Sequence, residues 1–156
     1  DRFAHESIGW NYRLTNLQAA IGLAQLENLD SNVKRKREIG KMYYEQLSQN
    51  KNIRMSEPSN EYAENIYWVV GILISENMEE NLDYYIKKFT DIGIGVRNFF
   101  LPMHNQPVFK KKKMFEGEKY PVAEYLRRYG FYLPSGIGTS DNEIHSVIKE
   151  VNNIFK

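Results

Sequence analysis

The run Ile66-Tyr-Trp-Val-Val-Gly-Ile-Leu-Ile74 constrains the fold more than any other stretch of this chain, because it is dense in β-branched and aromatic residues and bounded by polar ones. Such side chains lose little freedom on a pleated surface. A central strand is therefore expected here, with helices packed against it. The helices are legible on either side. Leu82, Tyr85, Ile86 and Phe89 form a stripe at helical spacing that stops at Gly93, and Ile144, Val147, Ile148, Val151 and Ile154 form another behind a Ser140-x-x-Glu143 capping box. Pro121 at a first turn predicts a short helix over 120–129. Further strands are expected around Ile53 to Met55 and from Ile94 to about Phe100, ended by Pro102. Two or three strands and four helices make an α/β or α+β piece, a small antiparallel-leaning sheet with helices on one face.

From Thr15 to about Asn50 the sequence reads as one long or once-broken helical stretch, opened by the capping box Thr15-x-x-Gln18. Leu17, Ala20, Ile21 and Ala24 mark one apolar stripe and Ala19, Leu23 and Leu26 a second, so this helix should be buried against another domain or subunit. Residues 1–50 are accordingly expected to form a motif loop and connecting helix, and 51–156 a small domain. The basic run Lys34-Arg35-Lys36-Arg37 reads as a solvated helix face, with phosphate binding the minority option. Residues 102–120 carry Pro102, Pro107, Lys110 to Lys113 and Gly117, and read as a long, mobile connection.

Composition closes off several functions. With 21 Lys and Arg against 20 Asp and Glu there is no global pull toward nucleic acid or membrane, and the tetralysine reads as a solvated loop. No apolar run reaches the roughly twenty residues of a spanning helix. The absence of cysteine excludes disulfides and thiolate chemistry and fits a cytoplasmic protein. Three scattered histidines, His5, His104 and His145, make no metal site. No phosphate-binding glycine loop and no nucleophile elbow is present, so Ser135 in Leu133-Pro134-Ser135-Gly136 reads as structural. A first residue Asp1 in place of Met suggests a piece of a longer protein.

The unusual chemistry sits before the first helix. Gly9 permits close backbone approach, and Asn11 and Arg13, two apart, point the same way on an extended segment, where an amide and a guanidinium fork suit an anion such as a phosphate. Taken from these residues alone, a structural loop with Arg13 in a surface ion pair is the favoured reading.

The run Gly9-x-Asn11-Tyr12-Arg13-Leu14-Thr15-Asn16-Leu17-Gln18-Ala19-Ala20 nevertheless closely resembles a signature of the DegT-family sugar-nucleotide aminotransferases. Three further motifs follow in that family's order: Arg97-x-x-Phe100-x-Pro102-Met103-His104-x-x-Pro107, Tyr120-Pro121-Val122-Ala123-Glu124, and Leu133-Pro134-Ser135-Gly136. The resemblance is to the C-terminal part of such an enzyme, an α+β domain of a fold-type-I transferase that uses pyridoxal 5'-phosphate. It implies that Asn11 and Arg13 serve the cofactor, Asn11 reaching the phosphate of the neighbouring subunit, and that Arg97, Phe100 and His104 line the active-site mouth against the sugar nucleotide. The Schiff-base lysine and the carboxylate on the pyridinium nitrogen are expected upstream, so no catalytic residue lies in this chain. The implied whole is a homodimer that passes an amino group, typically from glutamate, to a nucleotide-linked keto-sugar in polysaccharide biosynthesis, with the chain's own N-terminal domain as a further partner. Residues 67–72 resemble GDP-perosamine-synthase-like members, which favours a GDP-linked 4-keto-6-deoxy sugar over a UDP- or dTDP-linked one. Trp10 and Met103 stand where the family more usually has Tyr and Leu, and leave the sugar open. The alternative is a stand-alone, non-catalytic binding module derived from that domain.

Overall fold

A computed structural model describes residues 4–10 and 12–156 of the chain. The elements in order are α1 (Asn16–Glu27), α2 (Leu29–Leu47), β1 (Ile53–Met55), β2 (Val70–Ile74), α3 (Leu82–Asp91), β3 (Arg97–Asn98), a 3-10 turn (Met103–Asn105), α4 (Pro107–Lys111), α5 (Pro121–Tyr129), β4 (Gly130–Leu133) and α6 (Asp141–Ile154). The four strands pair antiparallel throughout in the order β1-β2-β4-β3.

The expected central strand is central, flanked by β1 and β4, but it is shorter than the apolar run that announced it. The reason lies in Asn65, whose side-chain oxygen accepts the Tyr67 N–H at 2.7 Å and so competes with the sheet for it. Tyr67 then takes a left-handed φ of 51°, which turns its ring into the core and leaves Ile66 and Trp68 outside. From Val70 onward the pleat is regular, and Val70, Ile72 and Ile74 are buried while Gly71 and Leu73 face the other way.

On the buried face lie Ile39, Tyr43 and Leu47 of α2, Tyr85 and Phe89 of α3, Phe131 and Leu133 of β4, and the predicted stripe of α6, in one apolar cluster. Phe89, Phe131 and Phe155 meet there with ring centroids 5.7–6.1 Å apart, offset as aromatic quadrupoles prefer. The opposite face is not bare, as the helices-on-one-face expectation required. Val122, Tyr125 and Leu126 of α5 line a depression there with Gly71, Leu73 and Phe99. The Phe99 ring lies so close over the sheet that a Cβ on Gly71 or Gly130 would stand 2.8 or 2.4 Å from it.

Both capping boxes form. Gly93 ends the α3 segment at φ +80°. The long N-terminal helical stretch breaks once, at Asn28, whose amide donates to the Ala24 carbonyl while its own N–H reaches Gln25 and Leu26. Two expectations need correction. Residues 102–120 are folded into the 3-10 turn, α4 and a chain of local backbone bonds such as Met114 N–H to Phe109 O at 3.0 Å. The strand from Ile94 pairs only at Arg97–Asn98, with one further bond from Phe99 N–H to Gly130 O, because its partner β4 is itself short and was not expected at all.

Candidate functional site

Gln106 organises the region where the sequence motifs converge. It is buried, its Oε1 accepts the His5 N–H at 2.9 Å, and its amide donates to the Leu101 carbonyl at 3.3 Å. The Val108 N–H in turn donates to the His5 carbonyl at 2.9 Å, and Lys111 pairs with Glu6. These bonds pin His5 and Glu6, which lead into the Gly9-to-Ala20 arm, against the turn that carries His104, two segments separated by most of the chain. Sequence reasoning did not single out Gln106; a glutamine bracketed by His104 and Pro107 in a motif loop was the available signal.

Among the predicted residues, Asn11 lies outside the described residues. Arg13 is exposed on the arm just ahead of the Thr15 cap. His104 is mostly covered, its ring 4.8 Å from that of Tyr120. Its Nε2 stands 3.1 Å from Glu124 Oε1 and 3.0 Å from Asn105 Nδ2. A protonated Nε2 donates to the carboxylate, whereas a bare Nε2 accepts from the amide, so the two contacts alternate with the ring's proton. Glu124 and Tyr120 belong to the third motif, which the fold thus brings onto the second.

Arg97 is exposed and sits directly across from Tyr132 in the β3–β4 pairing. Phe100 stacks on Tyr132 with centroids 6.5 Å apart and, nearly parallel at 5°, on Trp68 at 6.1 Å. Trp68, absent from the predicted site, makes this a three-ring shelf; its exposed position next to a buried Tyr67 follows from the turn at Asn65 and not from any periodicity.

The fourth motif is held from beneath by α2. Tyr43 buries its hydroxyl and donates to the Pro134 carbonyl at 2.8 Å, and burial pushes that phenol's pKa well above its ordinary range. The Lys36 ammonium donates to the Ser135 carbonyl at 2.5 Å and to its Oγ at 3.3 Å, with burial lowering its pKa. Arg35 donates to the Thr139 carbonyl at 2.6 Å and pairs with Asp141 at 2.8 Å, and Arg37 pairs with Glu64 at 2.8 Å. Two of the four, Arg35 and Lys36, therefore clamp the 134–141 turn in place of standing on a solvated face, while Arg37 pairs with Glu64 and Lys34 is exposed. Adjacent to the clamp, Asn32, Lys36, Ile66, Trp68, Ser135 and Ile137 line a depression of about 370 Å³.

Solved structures share this fold. Helicobacter pylori PseC, an aminotransferase involved in the biosynthesis of pseudoaminic acid, matches 96% of this chain and 39% of its own at a TM-score of 0.81 and 19% identity. S. venezuelae DesV, solved in complex with a ketimine intermediate, matches 98% of this chain and 40% of its own at a TM-score of 0.77 and 23% identity. The family model of the DegT/DnrJ/EryC1/StrS aminotransferases matches residues 1–152, and the chain belongs to that family. Similar curated proteins include the GDP-perosamine synthases of Escherichia coli O157:H7, 34% identical over 156 residues, and of Vibrio cholerae, 30% identical over 154 residues. Each alignment takes in 99% of this chain, which spans about 40% of the length of those relatives.

Proposed function

We propose that this chain is the C-terminal portion of a sugar-nucleotide aminotransferase that uses pyridoxal 5'-phosphate, acting in the cytoplasm as a homodimer on a nucleotide-linked keto-sugar. The supporting observation is the Gln106 junction, which ties the arm bearing Asn11 and Arg13 to the turn bearing His104. An arm that serves the cofactor and a loop that serves the substrate have to be held near one another, and Gln106 anchors the root of the arm by accepting from His5 N–H while donating to the Leu101 carbonyl.

The residues present suit only the cofactor's phosphate end. Lys36 is bonded to the Ser135 turn, and on the family resemblance the lysine that holds the cofactor is assigned to a domain upstream of these residues. When bound, the cofactor supplies an electron sink for moving an amino group between an amino acid and a ketone. This chain's contribution is positional. Asn11 and Arg13 offer an amide and a guanidinium fork to phosphate oxygens, Arg97 offers a second fork toward the substrate, and His104, its Nε2 beside Glu124, offers a ring to the sugar nucleotide. The preference for a GDP-linked sugar rests on the GDP-perosamine synthases among the relatives.

Helix α1 favours the same assignment over a stand-alone module. All its residues are exposed in this chain, and Leu17, Ile21, Leu23 and Leu26 sit there together with Trp10 and Leu14. A helix apolar on more than one side is a buried helix in the complete protein, so α1 and the arm ahead of it face the rest of the enzyme, while α2 belongs to this domain's core. In the polypeptide carrying both domains, His104→Ala should slow amino transfer to the keto-sugar while the half-reaction with glutamate stays near normal. Equal damage to both half-reactions, or no transamination in the unaltered enzyme, refutes the assignment.

A further inference from the structure

The start of α5 reaches the His104 ring with two side chains one turn apart. Tyr120 packs its own ring against the imidazole, centroids 4.8 Å apart, and Glu124 brings Oε1 to 3.1 Å from Nε2. The Glu124 N–H donates to the Tyr120 carbonyl at 3.0 Å, so the two are fixed relative to one another, and Pro121 between them presets the first turn. On the other side, the Asn105 N–H donates to the Pro102 carbonyl at 2.9 Å and closes the 3-10 turn that carries the imidazole. The His104 side chain is only 11% exposed, so these neighbours, more than bulk water, decide what its nitrogens do.

Two of those neighbours claim the same atom. Nε2 lies within hydrogen-bonding distance of the Glu124 carboxylate and of the Asn105 amide nitrogen at once. An ionised carboxylate can only accept, so its bond needs the ring proton on Nε2; an amide nitrogen can only donate, so its bond needs Nε2 bare. The claims are unequal. A side-chain amide can turn over and offer its oxygen, whereas a carboxylate has no donor to offer, and a hydrogen bond with one ionised partner is roughly twice as strong as a neutral one. The consequence falls on the other nitrogen, because a neutral imidazole with its proton on Nε2 has a bare Nδ1, and neither of these contacts uses Nδ1.

We propose that Glu124 is a positioning residue for His104: its carboxylate keeps the imidazole proton on Nε2, so that the ring meets the substrate with Nδ1 as a hydrogen-bond acceptor. The inference rests on the reading above in which His104 serves the substrate, and adds the residue that decides which kind of hydrogen bond the ring makes there. Without that carboxylate the Asn105 amide is the remaining claimant on Nε2, and it draws the ring toward the opposite tautomer, with a donor at Nδ1.

Long-range proton–nitrogen correlation spectra of the complete polypeptide, isotope-labelled at its histidine nitrogens, report the tautomer directly, and the signals lost in His104→Gln identify the ring. At about pH 8, above the ordinary histidine range, His104 of the unaltered protein should show a bare Nδ1 and a protonated Nε2. Glu124→Ala should bring in the tautomer protonated at Nδ1, and Glu124→Gln, whose amide oxygen can still accept, should keep most of the original. In the same proteins KM for a GDP-linked 4-keto-6-deoxy sugar should rise about three- to ten-fold with Glu124→Ala, the scale of one neutral hydrogen bond, and return toward normal with Glu124→Gln. A ring already protonated at Nδ1 in the unaltered protein, or a tautomer that ignores Glu124→Ala, overturns the proposal. An active transaminase whose KM stays put while the tautomer changes also overturns it and leaves the proposed function standing. A ring that follows Glu124 in a protein without transaminase activity upholds the hold on His104 and overturns the function.

Discussion

The ring of Tyr67 lies on the backbone of Gly40 in mid-helix, so close that a Cβ added to Gly40 would stand 2.2 Å from the ring's Cγ and Cδ2. Glycine inside a helix ordinarily costs about 1 kcal/mol against alanine. Here it is retained because any side chain would displace an aromatic ring from the core.

Gly40→Ala should therefore destabilise the chain, against the usual sign. Overpacking of this kind costs about 1–3 kcal/mol, and at this size each kcal/mol lowers the melting temperature by about 2–4 °C. In a Tyr67→Ala background the ring is gone and Gly40→Ala should become neutral or stabilising. Equal effects of Gly40→Ala in both backgrounds would remove the contact as the reason for the glycine.

Tyr43→Phe keeps the ring and deletes only the hydroxyl that donates to Pro134 at 2.8 Å. Tyr43 is fully buried, so the abandoned carbonyl finds no water, and the loss should be about 1–3 kcal/mol in a denaturant titration with unchanged m-value. A loss under a few tenths would mean the turn relaxes onto another donor.

Acid should weaken α6 through Glu143. Its carboxylate accepts from the Ser140 hydroxyl at 2.7 Å and the Ser140 N–H at 2.8 Å, which holds its pKa below the ordinary 4.5. A depressed folded-state pKa adds stability that is complete above the unfolded value and lost as pH falls through the folded one. Glu143→Gln, which keeps a neutral cap, should melt below the unaltered chain at pH 7, and the gap should close as pH falls through the folded-state pKa below 4.5. A gap that keeps its size through that fall would assign the difference to something other than ionisation.

Asn11→Ala in the complete, dimeric polypeptide should weaken pyridoxal phosphate affinity by roughly ten- to a hundred-fold, since a hydrogen bond to a charged group is worth about 1.5–3 kcal/mol. Arg13→Ala should give a defect that grows with salt, because a phosphate–guanidinium attraction is screened. Cofactor affinity unchanged in an Asn11→Ala enzyme of lowered melting temperature would make Asn11 a loop-shaping residue only.

Much of the secondary structure was legible because local chemistry decides it. Thr15 with Gln18, and Ser140 with Glu143, close their capping boxes within one turn, and Gly93 and Pro121 act on their own dihedrals. The stripe of α6 points inward as its period requires. The basic run 34–37 misled for a physical reason: charge predicts exposure only where no acceptor is near. The carbonyls of Ser135 and Thr139 that bind Lys36 and Arg35 arrive from about a hundred residues away. Strand β4 was hidden because four residues following a helix carry too little pattern, and its place is fixed by two neighbours rather than by its own propensity.

The sequence by itself determined the capped helices, the apolar strand at the sheet's centre and the order of four family motifs, all of which depend on residues within a few positions of one another. Tertiary structure alone decided which motifs meet. Gln106 joins the arm to the His104 turn, Glu124 takes the His104 ring, and α2 clamps the Pro134–Ser135 turn, each across long sequence separations. It also decided that Trp68 faces outward, since a strained Tyr67 can be held only by a glycine backbone brought to it from another helix.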